Sequence, residues 1–271
     1  MPLIELTDVR YWYGREVEAL RGVSLQIREG EFIALLGQNG SGKTTLAKHL
    51  NGLLKPTSGT VLVSGKDTRN ARIAQLSRIV GYVFQNPDHM IFAKTIFDEV
   101  AFGLRNVKTP ETEIPPLVDR ALVLVDLKKP LTEDPHSLSM GERRRLTIAS
   151  VLALDPRVLI LDEPTTGVDY HRASLLMDTV VQLNQAGRTI ILITHDIALA
   201  AEYSNRTIIL KDGGILADGP TRSVLSQRQL TSQSNILPPQ VSMLAERLST
   251  FGFPPQTVRI SEAVDWLLAH I

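Results

Sequence analysis

The residues 37–44, Gly37-Gln38-Asn39-Gly40-Ser41-Gly42-Lys43-Thr44, set glycines, a lysine and a hydroxyl at the spacing of a phosphate-binding loop. Glycines so spaced let successive backbone N–H groups turn inward around phosphates, and the positive end of a following helix adds to the attraction. Lys43 is placed to reach the terminal phosphates of a nucleotide, Thr44 to ligate Mg2+, and Thr45 to continue the same turn. The loop follows an apolar run at 32–36 and precedes a helical stretch at 45–54, which is the strand-loop-helix context this chemistry requires. A chance match is the alternative, and that context argues against it.

Such a loop needs an acidic partner on a neighbouring strand. The apolar run 158–161 ends in Asp162-Glu163-Pro164, so two carboxylates emerge at a strand's C-terminal end, where parallel sheets bind their ligands. Asp162 can hold Mg2+ through its water shell while Glu163 faces an attacking water as general base. Taken alone, Asp-Glu after a strand reads as a helix cap or a solvated turn. Two further strand ends carry polar groups that could reach the same point: Gln85 toward Mg2+ or water, and His195 toward a γ-phosphate. Either residue alone is ordinarily a surface residue; convergence of four strand ends is what favours function.

The elements that must position these groups follow from the hydrophobic pattern. The first thirty residues alternate apolar and polar, as in Val23-Ser24-Leu25-Gln26-Ile27, and predict antiparallel strands with one face buried. After a turn at Glu29-Gly30-Glu31, the continuous apolar runs 32–36, 79–84, 158–161 and 190–193 predict strands buried on both faces of a parallel sheet. Residues 86–154 read as an inserted helical lobe, with Pro110, Pro115 and Pro116 breaking the chain ahead of Leu117, Val118, Ala121, Leu122 and Val125 at helical spacing. Two short strands are expected around Asp212-Gly213-Gly214, then a polar linker from Thr221 to Asn235. Beyond it, Val241, Leu244 and Leu248 fall on one helical face, and a second helix starts at Ser261. The fold class is therefore α/β, a P-loop NTPase core with a parallel sheet, an N-terminal antiparallel β subdomain, an inserted helical lobe and a small C-terminal extension, divided as 1–225 and 226–271.

Composition narrows the function classes. With 271 residues, 43% of them hydrophobic, the chain can bury a core without metal or disulfides. It has no cysteine, which excludes thiol catalysis. Lys plus Arg equals Asp plus Glu at 29 each, so the basic excess that carries phosphate contacts to nucleic acid is lacking, and no nucleic-acid partner is expected. No stretch approaches the roughly 20 apolar residues of a membrane span, so any action at a membrane is expected to run through a partner.

Leu138-Ser139-Met140-Gly141-Glu142, ahead of a helix expected to start at Arg143, resembles the signature motif of ABC transporter ATPases. With Gln85, Pro164-Thr165-Thr166-Gly167-Val168-Asp169 and His195, the set is similar to that family's in order and spacing, across residues 3 to about 225. The resemblance implies ATP and Mg2+ as cofactors, an ATPase activity, Gln85 as the Q-loop, Asp169 as the D-loop, His195 as the switch histidine and Tyr13 as the aromatic on adenine, with Tyr11 and Trp12 competing for that role. It further implies head-to-tail pairing with a second ABC ATPase, each γ-phosphate lying between one loop and the opposite Ser139 and Gly141. Ser139 also reads as an ordinary helix N-cap, and Arg143-Arg144-Arg145 as a solvated helix face, although Arg145 matches a family arginine. Met140 departs from the family's glycine, and the site that this signature completes is expected to be altered by it.

The stretch from Phe84-Gln85-Asn86-Pro87 through Phe92 to Phe102-Gly103 resembles the energy-coupling factor branch, whose ATPases energise vitamin, nickel or cobalt uptake. That branch implies a transmembrane coupling protein, a small substrate-binding membrane protein, and a peripheral place on the cytoplasmic face of the membrane. The extension is then a contact between two ATPases or a cap on its own domain. A conventional ABC transporter and a soluble ABC ATPase are the alternative readings.

Overall fold

Side chains that alternate inward and outward make β1 (Ile4–Tyr13) and β2 (Val17–Ile27) an antiparallel pair. β4 (Ser58–Val63) pairs antiparallel with the other edge of β1, and β5 (Lys66–Asp67) with β4, so the first sheet has the order β2-β1-β4-β5. The unbroken apolar runs behave as a parallel sheet demands. β3 (Phe32–Leu36), β6 (Val80–Val83), β7 (Val158–Asp162) and β8 (Thr189–Ile193) are buried along their whole length. With β9 (Arg206–Lys211) parallel to β3 and β10 (Gly214–Pro220) antiparallel at the edge, the second sheet runs β10-β9-β3-β8-β7-β6. This computed structural model describes residues 2–234 and 236–270; Met1, Asn235 and Ile271 lie outside the described residues.

Period-two geometry splits each parallel strand between two cores. Leu159 and Leu161 face one side, where they pack with α3 (Ile96–Asn106), α4 (Ile114–Leu124), α5 (Met140–Leu152) and α6 (Tyr170–Gln185). Val158 and Ile160 face the other side, toward α1 (Lys43–Leu50), α2 (Ile73–Leu76) and the antiparallel sheet. The parallel sheet thus has both faces covered, and what remains accessible is its C-terminal edge. α7 (Ile197–Tyr203) and α8 (Thr221–Leu225) pack against Ala34 and Leu36 of β3 and Ile209 of β9. α9 (Arg228–Gln233), α10 (Gln240–Leu248) and α11 (Ile260–His270) complete the chain, with Ala245, Phe253 and Ala263 as a small core of their own. No helix among the described residues is long and apolar enough to cross a membrane.

Local differences from the sequence reading have physical causes. Pro115 and Pro116 do not stop the chain ahead of α4; they occupy its first turn, where backbone N–H groups have no partner to lose. α5 starts at Met140 rather than Arg143, because Ser139 caps it. The expected linker at 221–234 is instead α8 and α9, its polar side chains bonding to backbone, as Thr231 does to Arg228 O and Ser234 to Thr231 O. α10 turns Ala245 inward and leaves Leu244 41% exposed, so its inward line is buried Ala245 flanked by partly buried Val241 and Leu248.

Candidate functional site

The loop between β3 and α1 owes its shape to close packing. A Cβ on Gly37 would stand 2.3 Å from Leu210 O, and one on Gly42 2.7 Å from Ala19 O, so both positions demand glycine at φ of +148° and +103°. Lys43, the first residue of α1, folds its chain along the loop and donates from Nζ to Gly37 O and Gln38 O at 2.8 Å each. Burial lowers its pKa, while the nearby carboxylates of Glu163 and Asp162 pull the other way. Gly37, Asn39, Gly40, Gly42, Lys43, Thr44 and Thr45 line a cleft of about 1020 Å3. Ser41 does not line it: this residue lies 5% exposed beneath the loop, its N–H on Gln38 O and its carbonyl accepting from Gly213 N.

Three other strand ends meet this cleft. β7 delivers Asp162, whose Oδ2 accepts from Thr44 Oγ1 at 3.2 Å and from the Tyr82 hydroxyl at 2.6 Å. Burial, then the charge of Asp162, raises the Tyr82 pKa far above its ordinary value, so Tyr82 remains a donor. The next residue, Glu163, is 8% exposed and sits at φ +49°, in the left-handed region. Its Oε1 lies 2.9 Å from His195 Nδ1, and its Oε2 takes longer contacts from Thr166 and Thr194. Gln85, beyond the end of β6, lines the same cleft. Asp162 carboxylate, Thr44 hydroxyl and Gln85 amide form an all-oxygen donor set with one carboxylate, which suits Mg2+ shared with phosphates.

The aromatic run at the end of β1 divides. Tyr13 lines the cleft, 45% exposed, with its hydroxyl 3.2 Å from Thr45 Oγ1. Tyr11 turns to the core and packs edge-on to Tyr13 and to buried His49, and neither Tyr11 nor Trp12 is among the residues that line the cleft.

Sequence reasoning missed Arg144, as it missed Tyr82. Far from being part of a solvated face, Arg144 is 5% exposed and donates to Glu163 O at 2.7 Å, Gln85 O at 3.1 Å and Thr166 O at 3.1 Å. A planar fork with five donors is the side chain that can bond carbonyls from three segments at once. Its neighbour Arg143 pairs with Asp88 at 2.6 Å, beside the short turn Pro87–His89 that follows Gln85. The helical position of 144, one turn into α5 and on its inward face with Ile148, was the available signal.

The remaining predicted residues are held apart from the loop. Ser139 and Gly141 border a separate hollow of about 230 Å3 between α5, α6 and the end of α4. Asp169 caps α6 by accepting from Arg172 N. Met140 stands 41% exposed beside Ser139. Within one chain, therefore, Lys43, Thr44, Gln85, Asp162, Glu163, His195 and Tyr13 share a cleft that Ser139, Gly141 and Asp169 do not line.

On the next segment, buried Glu99 of α3 accepts from Phe92 N and Ala93 N at 3.0 and 2.9 Å and so fixes the loop ahead of that helix. Phe92 and Phe102 meet edge to face at 4.6 Å on the surface, 59% and 46% exposed.

A family model described as ABC transporter matches residues 20–166. The chain is 39% identical over 251 residues to an energy-coupling factor transporter ATP-binding protein of Methanocaldococcus jannaschii, covering 92% of this chain and 90% of that one. The solved structure of cbiO1 from Clostridium perfringens, described as part of the ABC transporter complex cbiONQ, matches with a TM-score of 0.76 at 36% identity, over 90% of this chain and 99% of that one. An ABC transporter ATP-binding protein of Caldanaerobacter subterraneus subsp. tengcongensis is 49% identical over 246 residues, 91% of this chain but 43% of the relative. The chain thus spans less than half the length of that relative and of two others from Methanosarcina species.

Proposed function

This chain belongs to the ABC transporter ATP-binding family, and from that premise we propose that it binds Mg-ATP in the cleft and hydrolyses it as one half of a paired motor driving uptake through a separate membrane protein. The observation that carries this reading is the meeting of Lys43, Thr44, Asp162, Glu163 and His195 in one cleft, with Thr44 on Asp162 and His195 on Glu163. Backbone N–H groups of the loop and Lys43 take the β- and γ-phosphates. Tyr13 supports the adenine. Thr44, Asp162 and Gln85 hold Mg2+, which when bound neutralises charge on the phosphates. Glu163 takes the proton of the attacking water, and His195 Nδ1 keeps that carboxylate aimed and stands at the γ-phosphate side.

Ser139, Gly141 and the N-terminus of α5 form a second anion-binding end for which the chain's own loop has no use. In this reading they complete the ATP site of a second ABC ATPase, with Asp169 at the same junction, so ATP closes the pair and hydrolysis opens it. Met140, exposed at that end, alters the site that this signature completes.

Names and residues together favour the energy-coupling factor branch, with a transmembrane coupling protein and a small substrate-binding membrane protein as partners and a peripheral position at the membrane. The exposed Phe92 and Phe102 pair is the surface that would meet the coupling protein. In the extension at 226–271, exposed Leu244, Val264 and Leu268 offer a contact to the second ATPase. The test of the core reading is Glu163→Gln, which keeps side-chain shape while removing the base. We expect Mg-ATP binding to persist, hydrolysis to be lost and the closed pair to accumulate. Turnover at the original rate would remove Glu163 from the role of base. Recovery of two conventional permease subunits with the chain, rather than a coupling protein and a small binding protein, would move it out of the branch.

A further inference from the structure

The signature end of α5 carries a charge problem of its own. Glu142 reaches back over the helix N-terminus as a capping box: its Oε2 accepts from Ser139 N at 2.9 Å and from Ser139 Oγ at 2.8 Å, while Glu142 N donates to Ser139 Oγ at 3.4 Å. These bonds satisfy the cap, but they put a carboxylate on the hydroxyl that the proposed function aims at a phosphate. Two anions at one helix end oppose each other, and the helix dipole can serve only one of them well.

The answer lies outside the motif. Lys129, on the segment between α4 and the turn Pro135–Ser137, places its Nζ 3.2 Å from the other oxygen of Glu142, Oε1. It also lies 3.8 Å from Glu133, whose Oε1 accepts in turn from Ser137 Oγ. Both partners of the Lys129–Glu142 pair are partly shielded, with side chains 32% and 22% exposed. The Ser139 hydroxyl, the Ser139 N–H and Lys129 together hold the Glu142 carboxyl down to about 2, so it is ionised throughout the physiological range.

We propose that Lys129 is a positioning residue of the composite nucleotide site: by pairing with Glu142 Oε1 it neutralises the carboxylate that lies on Ser139, so that Ser139 and the first N–H groups of α5 can meet the γ-phosphate held by a second ABC ATPase without opposing charge. The inference rests on the paired reading of the preceding subsection. Lys129 touches no substrate in it and acts through Glu142. It follows that Lys129 matters only while residue 142 is charged, a requirement that a merely structural lysine does not have.

The test is a cycle of substitutions in the hydrolysis-deficient Glu163→Gln chain, with Mg-ATP-dependent pairing read by sedimentation. Lys129→Met is expected to raise the Mg-ATP concentration needed for half-maximal pairing about tenfold, and Lys129→Arg to restore most of it. In a Glu142→Gln background, Lys129→Met is expected to change nothing, because no charge is left to neutralise. Circular dichroism and thermal unfolding establish that each variant is folded. Unaltered pairing by Lys129→Met, or an equal loss with glutamine at 142, overturns the inference while leaving the paired reading intact. If the Glu163→Gln parent binds Mg-ATP yet stays monomeric at every concentration, the paired reading falls and this inference with it.

Discussion

Arg144→Met is the substitution whose consequences are most fully determined by the structure. Methionine fills similar apolar volume but abandons three carbonyls, those of Glu163, Gln85 and Thr166, which now accept at 2.7, 3.1 and 3.1 Å. A buried carbonyl left without a donor costs about 1–3 kcal/mol; Glu163 O keeps Thr166 N at 3.3 Å and the other two bonds are only partly buried, so the gross loss is about 2–4 kcal/mol. Against this stands relief from burying the guanidinium, a cost visible in the lowering of its pKa by burial, which the charge of Glu163 only partly opposes. The net is a destabilisation of about 1–3 kcal/mol, or a fall in unfolding midpoint of roughly 2–6 °C for a chain of this size. Function should suffer beyond stability. Glu163 is held at φ +49° with its N–H on Ile193 O and its carbonyl on Arg144. Such backbone strain costs about 1–3 kcal/mol and persists only where neighbours over-determine it. Freed at one end, Glu163 would relax away from the attacking water, so kcat should fall about tenfold or more with little change in KM for ATP. Differential scanning calorimetry and steady-state ATPase assays on the folded variant measure both. A midpoint within about 2 °C of the parent, together with unchanged kcat, would refute the reasoning, because it would mean the three bonds hold nothing in place.

Two further predictions extend the cleft and the signature. Tyr13→Ala should weaken ATP binding by about tenfold, the loss of one aromatic-base stack, whereas Trp12→Ala should leave it nearly unchanged; titration with a fluorescent ATP analogue separates the two, and equal effects would mean that Tyr13 does not bear the base. Glu142 has its pKa lowered in the folded chain from 4.5 to about 2, so its stabilising contribution is complete above the ordinary value and fades as pH falls toward about 2. The unfolding midpoint of Glu142→Gln should therefore lie below that of the parent at neutral pH, with the gap narrowing near pH 3.5, and a gap independent of pH would refute the assignment.

How legible all this was in the sequence depends on the range of the interactions. The parallel sheet could be read because burial on two faces leaves no polar position in 32–36, 158–161 or 190–193, and the antiparallel sheet because burial on one face leaves alternate positions polar, as along 23–27. The loop at 37–44 was legible because its chemistry is local: glycines needed for close approach must stand at fixed intervals from the lysine. Arg144 was not, because three adjacent arginines look alike until the tertiary fold sends one to Asp88, one into the core and the third to the wall of the hollow that Ser139 borders. Tyr82 escaped for the same reason: a tyrosine within an apolar strand is an ordinary core residue unless the neighbouring strand carries a carboxylate within reach on the same face, as Asp162 stands two residues beyond Ile160, the register partner of Tyr82. Leu244 was assigned inward by spacing alone, and only the packing of Phe253 against Trp266 shows which side of α10 must accept a small residue.

What long-range contacts add is a physical route between the two half-sites of one chain. α5 is capped by Ser139, the residue that the proposed function assigns to the opposite nucleotide, and within its second turn places Arg144 on the carbonyls of Gln85 and Glu163, which the same reading assigns to the chain's own nucleotide. A helix turn is stiff, and a buried arginine with three fixed acceptors cannot slide without breaking charge-assisted bonds. A shift of Gln85 or Glu163 on hydrolysis must then either move α5 or break those bonds, and moving a helix as a body is the cheaper course in a close-packed interior. The Arg143–Asp88 pair adds a second tie on the outer side of the same helix, at the turn leading to Phe92. On the proposed function, one helix therefore links the chain's own ATP, the partner's ATP and the surface offered to the coupling protein. Weakening Arg144 should for that reason loosen the dependence of pairing on hydrolysis more than it weakens the binding of ATP itself.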